Sequence, residues 1–118
     1  METKQTVLEK SENLAIRVIN LYRYLVEKKK EFVLSKQILR SGTSIGANLS
    51  ESKYAISKSD WLSKMHIALK EANETLYWLR LLVKTSFISH KEFDSIYSDC
   101  EEIKKMLSSS TKTAKPIT

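Results

Sequence analysis

The sequence predicts an all-α protein that folds as an antiparallel up-down-up-down four-helix bundle. Its 118 residues include two glycines and one proline, too few for the turns of a β architecture. The hydrophobic fraction of 42% is high enough to supply a core. Apolar residues recur at alternating steps of three and four in four segments. This period favours crossing angles near about +20° and a slight left-handed supercoil.

The first predicted helix begins after Thr6, which forms a capping box with Glu9. The stretch 27–31 supplies no apolar residue at the required spacing, so the helix is predicted to end there in a short loop. The apolar stripe of this helix is Val7, Ser11, Leu14, Val18, Leu21 and Leu25.

The second predicted helix begins at Ser35, whose hydroxyl is expected to accept a hydrogen bond from the backbone N–H of Ile38. Its stripe is Leu34, Ile38, Ser41, Ile45, Asn48 and Ser52, and three of these residues are small or polar, among them Ser41 and Asn48. A buried polar group must be hydrogen-bonded, and one at a core position can fix helix register, so both are predicted to be structural polar residues of the core. The alternative for Asn48 is contact with a ligand or partner.

Both glycines fall inside this second helix, where each costs about 1 kcal/mol relative to alanine. Close approach of a neighbouring helix backbone would offset that cost, with Gly42, Gly46 and Ala47 making the room. The alternative is a loop or break at residues 41–44.

The third predicted helix is capped by Ser57 or Ser59. The fourth begins with a capping box formed by Ser89 and Glu92. Their stripes are Leu62, Met65, Leu69, Ala72, Leu76, Leu79 and Val83 in the third helix, and Phe93, Ile96, Cys100, Ile103 and Leu107 in the fourth. We therefore expect one bundle domain over residues 1–108 and a disordered polar tail over residues 109–118.

The outer face of the third helix carries large apolar residues where a monomeric bundle should be polar. They predict an oligomer interface, and the alternative is scattered surface apolarity. The four residues are Ile67, Tyr77, Trp78 and Leu81.

No catalytic or metal-binding pattern is found. His66 and His90 have no second ligand at metal spacing, and the Glu-x-x-His motif of di-metal bundles does not occur. Cys100 falls on an apolar stripe, where a thiol is inert. The sequence therefore predicts a non-enzymatic protein without cofactors.

The formal net charge of +6 favours an anionic partner such as RNA, DNA or a lipid surface. Tyr22 and Tyr24 lie among the basic residues of the first helix and are candidates for stacking on bases. The alternative is an ordinary lysine-rich surface. The predicted phosphate-binding residues are Arg17, Arg23, Lys28, Lys29, Lys30, Lys36 and Arg40.

Three features predict a cytoplasmic protein without a membrane span. Cys100 is the single cysteine, so no intrachain disulfide can form. No stretch approaches the roughly 20 apolar residues that cross a bilayer. The first ten residues are polar, unlike a secretory signal.

Residues 38–53 and 57–82 resemble the 23S rRNA intervening-sequence proteins, a bacterial family of four-helix bundles related to the accessory proteins of diversity-generating retroelements. The resemblance implies a homopentamer with a basic surface. The relation to the accessory proteins implies that the chain binds nucleic acid and a reverse transcriptase. The activity of most members is unknown. The residues that carry the resemblance are Arg40, Ser41, Ser44, Ile45, Asn48, Glu51, Ala68, Glu71, Glu74 and Leu79.

Charge, surface apolarity and resemblance lead to one main hypothesis. The chain is expected to be an oligomeric bundle that binds nucleic acid or a ribonucleoprotein through its basic surface. The alternative is a protein-interaction scaffold without nucleic-acid contact.

Overall fold

The computed structural model of the protein describes residues 5–114. Within this range it contains four helices and no strand, which confirms the all-α four-helix bundle. The helices are α1 (Val7–Glu27), α2 (Leu34–Ser52), α3 (Lys58–Lys84) and α4 (His90–Ala114).

Each helix packs against two others, so the four helices close around one core. The contacts between α1 and α2 run in opposite directions along the two helices. Val18 of α1 faces Gly42 of α2, whereas Ser11, earlier in α1, faces Gly46, later in α2. This order fits up-and-down packing. The left-handed supercoil stays a prediction.

The core is built mainly from the predicted stripes. On α3 it is wider than predicted, because Ala68, Thr75 and Leu82 are fully buried beside the stripe, whereas Leu62 and Leu69 are half-buried. The reason is that α3 packs against both α2 and α4, so a broad face is covered. The largest fully buried side chains are Leu14, Leu25, Ile38, Ile45, Leu79, Leu82, Ile103 and Leu107.

The start of α2 differs from the prediction, and the proposal that Ser35 caps it is wrong. The helix begins at Leu34, and the Glu31 carboxylate accepts hydrogen bonds from the N–H groups of Val33 (2.9 Å), Leu34 (3.1 Å) and Ser35 (2.9 Å). The Ser35 hydroxyl instead donates to the backbone oxygen of Glu31. A carboxylate is favoured here because its two oxygens and negative charge suit the exposed amides of a helix start.

Close approach of α1 explains the glycines of α2. A Cβ on Gly42 would lie 2.8 Å from both Cγ atoms of Val18, and one on Gly46 would lie 3.0 Å from Ser11 Oγ. The helix runs unbroken through residues 41–44, so the alternative of a break there is wrong. Ala47 is exposed and takes no part in the approach.

The fourth helix is longer than predicted. It continues to Ala114, past the expected boundary at residue 108, so the prediction of a disordered tail is wrong for residues 109–114. Thr111 is buried, and the Thr111 and Thr113 hydroxyls donate to the backbone oxygens of Ser108 and Ser109, which keeps these polar groups satisfied inside a helix. Residues 1–4 and 115–118 of the predicted domain and tail lie outside the described residues.

Candidate nucleic-acid interface

Five of the seven predicted phosphate-binding side chains lie around the connection between α1 and α2. All five are exposed, and none forms an ion pair with another residue in the range 5–114. They are Arg23, Lys28, Lys29, Lys30 and Lys36.

The connection between α3 and α4 lies at the same end of the bundle. A shallow cavity there is lined by Tyr24 of α1 and Lys29 of the first connection, and by Phe87 of the second connection and His90 at the start of α4. The exposed Lys84 and Lys91 flank this second connection, and they too are free of ion pairs within the described part of the chain. We define the basic end as the surface carrying Arg23, Lys28, Lys29, Lys30, Lys36, Lys84 and Lys91.

The basic end has a clear excess of positive charge. Residues 23–36 and 84–92 together hold seven Lys/Arg against three Asp/Glu. The connection at the other end, residues 51–64, holds three against two, and its Lys64 is paired with Glu51 at 3.6 Å. Sequence reasoning did not single out Lys91, although the predicted up-down-up-down order of the four helices places it at the same end as the first connection.

Arg17 lies away from the basic end and is already engaged. Its guanidinium lies 2.6 Å from the Asp99 carboxylate and donates to Ser95 Oγ at 3.0 Å, which links α1 to α4. Contact with a phosphate would require this ion pair to break, so Arg17 is placed as a structural residue.

Arg40 is engaged in the same way between α2 and α3. Its guanidinium donates to Glu74 and, at 3.4 Å, to Glu71. The hydrogen bond from Arg40 lowers the pKa of Glu74 against the opposing effect of burial, and the hydrogen bond to Glu74 raises the pKa of Arg40. Trp78 Nε1 donates to the same Glu74 carboxylate at 3.3 Å, so this carboxylate is held from two helices.

The loop of the basic end presents an aromatic ring that sequence reasoning missed. Phe32 is 52% exposed and Val33 is exposed beside it. The loop is fixed on both sides of the ring, because the Glu31 N–H donates to Leu25 O at 2.9 Å while the Glu31 carboxylate binds the start of α2. Its position two residues after three consecutive lysines in the sequence is the signal that could have indicated it.

The two tyrosines predicted to stack on bases are less available. Tyr22 and Tyr24 are half-buried, and Lys29 Nζ lies 5.9 Å from the centroid of the Tyr24 ring. The face of Tyr24 is therefore partly covered by a cation of the protein itself.

The four residues of the predicted oligomer interface differ in how far they are exposed. Ile67 and Tyr77 are exposed on α3, whereas Trp78 and Leu81 are half-buried. Trp78 packs against the core, with its ring edge-on to Tyr77 at a centroid distance of 5.0 Å. The interface stays a prediction, centred on the two exposed side chains.

The two polar residues predicted for the core differ in burial. Ser41 is fully buried, and its Oγ accepts a hydrogen bond from Thr75 Oγ1 at 2.9 Å, joining α2 to α3. Asn48 is half-buried, and its Nδ2 donates to Ser44 O at 2.8 Å within its own helix. A role in fixing register stays a prediction for both.

Cysteine, histidine and carboxylate side chains are the groups that most often bind metals or take part in catalysis. Among the described residues, no three His, Cys, Asp or Glu side chains lie in a group that could hold a metal ion. Cys100 is buried, and this burial raises the pKa of its thiol to about 12. His66 and His90 lie exposed on different helices.

A comparison with protein families shows to which family the chain belongs. The model of the 23S rRNA-intervening sequence proteins matches residues 3–109. The chain belongs to this family. Its relation to the retroelement accessory proteins stays a prediction from resemblance.

A solved structure is similar to this bundle. A crystal structure of a protein of unknown function from the S23 ribosomal protein family, from Bacteroides thetaiotaomicron VPI-5482, is 54% identical to this chain with a TM-score of 0.90. The match covers 91% of this chain and 99% of that chain. The search of curated proteins found no match. Within residues 5–114, no helix combines the length and apolar character needed to cross a membrane.

Proposed function

We propose that this member of the family is a non-enzymatic, oligomeric protein that binds nucleic acid or a ribonucleoprotein through the basic end. The observation that carries the proposal is the placement of seven exposed Lys and Arg side chains at one end of the bundle, all free of ion pairs within the described residues. Basic side chains already paired with carboxylates, such as Arg17 and Arg40, lie elsewhere.

Phosphate contacts explain how such a surface would bind. Each lysine that neutralises a phosphate releases condensed counterions, so affinity is gained without base recognition and falls steeply with salt. Assembly of several copies would place several basic ends on one nucleic acid and multiply a weak contact by avidity. The homopentamer implied by the family resemblance supplies that multiplicity.

Two charge-matched variants test the proposal. In the first, Lys28, Lys29 and Lys30 are changed to Gln; in the second, the exposed Lys53, Lys58 and Lys70 are changed to Gln. Both lose the same charge, and none of the six lysines forms an ion pair within residues 5–114.

Fluorescence anisotropy with labelled RNA and DNA at low salt then measures affinity. We expect a loss of about tenfold or more for the basic-end variant and little change for the other. Equal losses would assign binding to overall charge, and no binding by the folded wild-type protein would contradict the proposal.

Self-association through α3 is part of the same proposal. Ile67 and Tyr77 are exposed, so changing both to Asp should leave the core intact while placing charge in a subunit interface. Multi-angle light scattering is expected to show a smaller particle with unchanged helix content. An unchanged mass would remove this face as the interface.

A protein-interaction scaffold is the second candidate, and one feature favours it. At the end opposite the basic end, Tyr54 is 83% exposed and Ile56 is 94% exposed. The Ile56 N–H donates to the Asp60 carboxylate at 3.2 Å, so the loop is held while it presents apolar side chains. A partner that binds in the presence of nuclease and moderate salt, and is lost on Ile56→Ser, would favour this function.

A further inference from the structure

The aromatic side chains near the basic end differ in how far they are available to a ligand. Phe32 is 52% exposed and does not belong to the packed core, whereas the other Phe and Tyr rings in residues 22–36 and 84–93 are half-buried. Those other rings are Tyr22, Tyr24, Phe87 and Phe93.

The backbone on both sides of Phe32 is held by hydrogen bonds. Glu31, the residue before it, donates its N–H to Leu25 O, and the Glu31 carboxylate accepts hydrogen bonds from the N–H groups of Val33, Leu34 and Ser35. With the backbone on both sides fixed, the loop needs little further ordering when the ring meets a ligand, which favours binding.

Exposed lysines lie on both sides of Phe32 in the sequence. Lys28, Lys29 and Lys30 precede it within the same connection, and Lys36 follows it in the first turn of α2. Lys30 has a φ of 54°, so the backbone turns sharply just before the ring and the lysines do not continue the line of α1. An exposed ring among cations matches the chemistry of a strand with phosphates and unpaired bases.

We propose that Phe32 is a stacking platform for an unpaired base, so that the basic end prefers single-stranded nucleic acid to duplex. The inference rests on the proposed function and names its substrate class. In a duplex the faces of the bases are already stacked on one another, so an exposed ring adds nothing to phosphate contacts. In a single strand a base can be splayed out onto the ring.

The test compares Phe32 variants on matched probes. Fluorescein-labelled oligonucleotides of about 12 nucleotides, as single strands and as the corresponding duplexes, are titrated with the wild-type protein, Phe32→Ala, Phe32→Leu and Phe32→Trp. Tyr54→Ala is the control, because Tyr54 is an exposed aromatic residue between lysines at the opposite end. Circular dichroism checks that every variant keeps its helix content.

We expect Phe32→Ala and Phe32→Leu to weaken single-strand binding by about five- to a hundredfold and to change duplex binding by less than about twofold. Phe32→Trp should keep the affinity, because an indole also stacks. The Leu variant is decisive, since it keeps an apolar side chain but lacks a ring. Single-strand affinity equal to wild type in Phe32→Leu would overturn the proposal, as would an equal loss with Tyr54→Ala.

Two further outcomes distinguish this inference from the proposed function and from binding to a lipid surface. Wild-type binding that falls with salt but does not depend on Phe32 would leave the proposed function standing and overturn the stacking role alone. Vesicles containing phosphatidylserine serve as a second probe. If the wild-type protein sediments with these vesicles and Phe32→Ala does not, while oligonucleotide affinity is unchanged, the ring binds a lipid surface and the proposal is overturned.

Discussion

Gly42 of α2 lies directly against the side chain of Val18 of α1. A Cβ at this glycine would come within 2.8 Å of both Val18 Cγ atoms, closer than carbon atoms approach without displacement. Gly42→Ala gains about 1 kcal/mol of helix propensity, but overpacking of a tight core costs about 1–3 kcal/mol. We expect a net loss of up to about 2 kcal/mol in the free energy of unfolding, measured by urea denaturation.

The Val18→Ala background is the control for this prediction. Removing the two methyl groups opens the space, so Gly42→Ala should be neutral or stabilising there. A cost of the same size in both backgrounds would show that close approach of α1 and α2 is not what requires glycine at this position.

Ser86 lies two residues after the end of α3 and has a backbone conformation that disfavours a side chain. Its φ is 65°, and the N–H of Phe87 donates to Leu82 O at 2.9 Å, as in helix ends that usually hold glycine. Ser86→Gly should therefore raise the free energy of unfolding by about 0.5–1 kcal/mol. Thr85→Gly is the control and should lower it, since Thr85 has a φ of −99° and its hydroxyl donates to Leu81 O. Destabilisation by Ser86→Gly would contradict the assignment.

Features that depend on residues close in sequence could be predicted. The capping box of Thr6 and Glu9 is confirmed, with Glu9 N–H donating to Thr6 Oγ1 at 3.1 Å, because both partners lie within one turn. Gly42 was placed correctly because a glycine inside a helix requires a close neighbour. The capping role of Glu31 was missed because a carboxylate before a helix is one of many charges in a lysine-rich loop.

The candidate site was less predictable, because its composition depends on pairs far apart in the chain. Asp99 lies 82 residues from Arg17, and Glu74 lies 34 residues from Arg40, so nothing local showed that these arginines are engaged. The lysines of the α1–α2 connection were identified from their charge alone. The exposure of Phe32 depends on the folded loop, since the same residue could equally have packed into the core.

The ion pair of Arg40 and Glu74 should make stability depend on pH. The pKa of Glu74 is lowered in the folded protein from its ordinary value of 4.5, chiefly by the hydrogen bond from Arg40. A carboxyl with a lowered folded pKa stabilises fully above its unfolded pKa, and this contribution is lost as pH falls through the folded pKa. Glu74→Gln should therefore flatten the decline in stability between pH 7 and about pH 3.

The size of this effect should be modest because half of the Arg40 side chain is exposed. We expect about 1 kcal/mol or less at pH 7, measured by urea denaturation of the wild type and Glu74→Gln at both pH values. Glu12→Gln, at an exposed carboxylate for which no ion pair is found within residues 5–114, is the control. A decline with pH that is identical in the wild type and Glu74→Gln would contradict the role of the pair.

Cys100 should be unreactive in the folded protein. Its side chain is buried and its thiol pKa is raised to about 12 by that burial, so the reactive thiolate is scarce at pH 8. Ellman's reagent is expected to modify it at the rate of unfolding, and rapidly once guanidinium is added. Modification of the native protein as fast as that of free glutathione would contradict the burial of this residue.

The salt dependence of binding tests the central claim most directly. The logarithm of the RNA dissociation constant is measured against the logarithm of salt concentration for the wild type and for the two triple lysine-to-glutamine variants. Loss of Lys28, Lys29 and Lys30 removes three phosphate contacts and should reduce the magnitude of the slope by about 2, whereas loss of Lys53, Lys58 and Lys70 should leave it unchanged. Equal slopes for the two variants, or binding by the wild type that does not change with salt, would contradict the account.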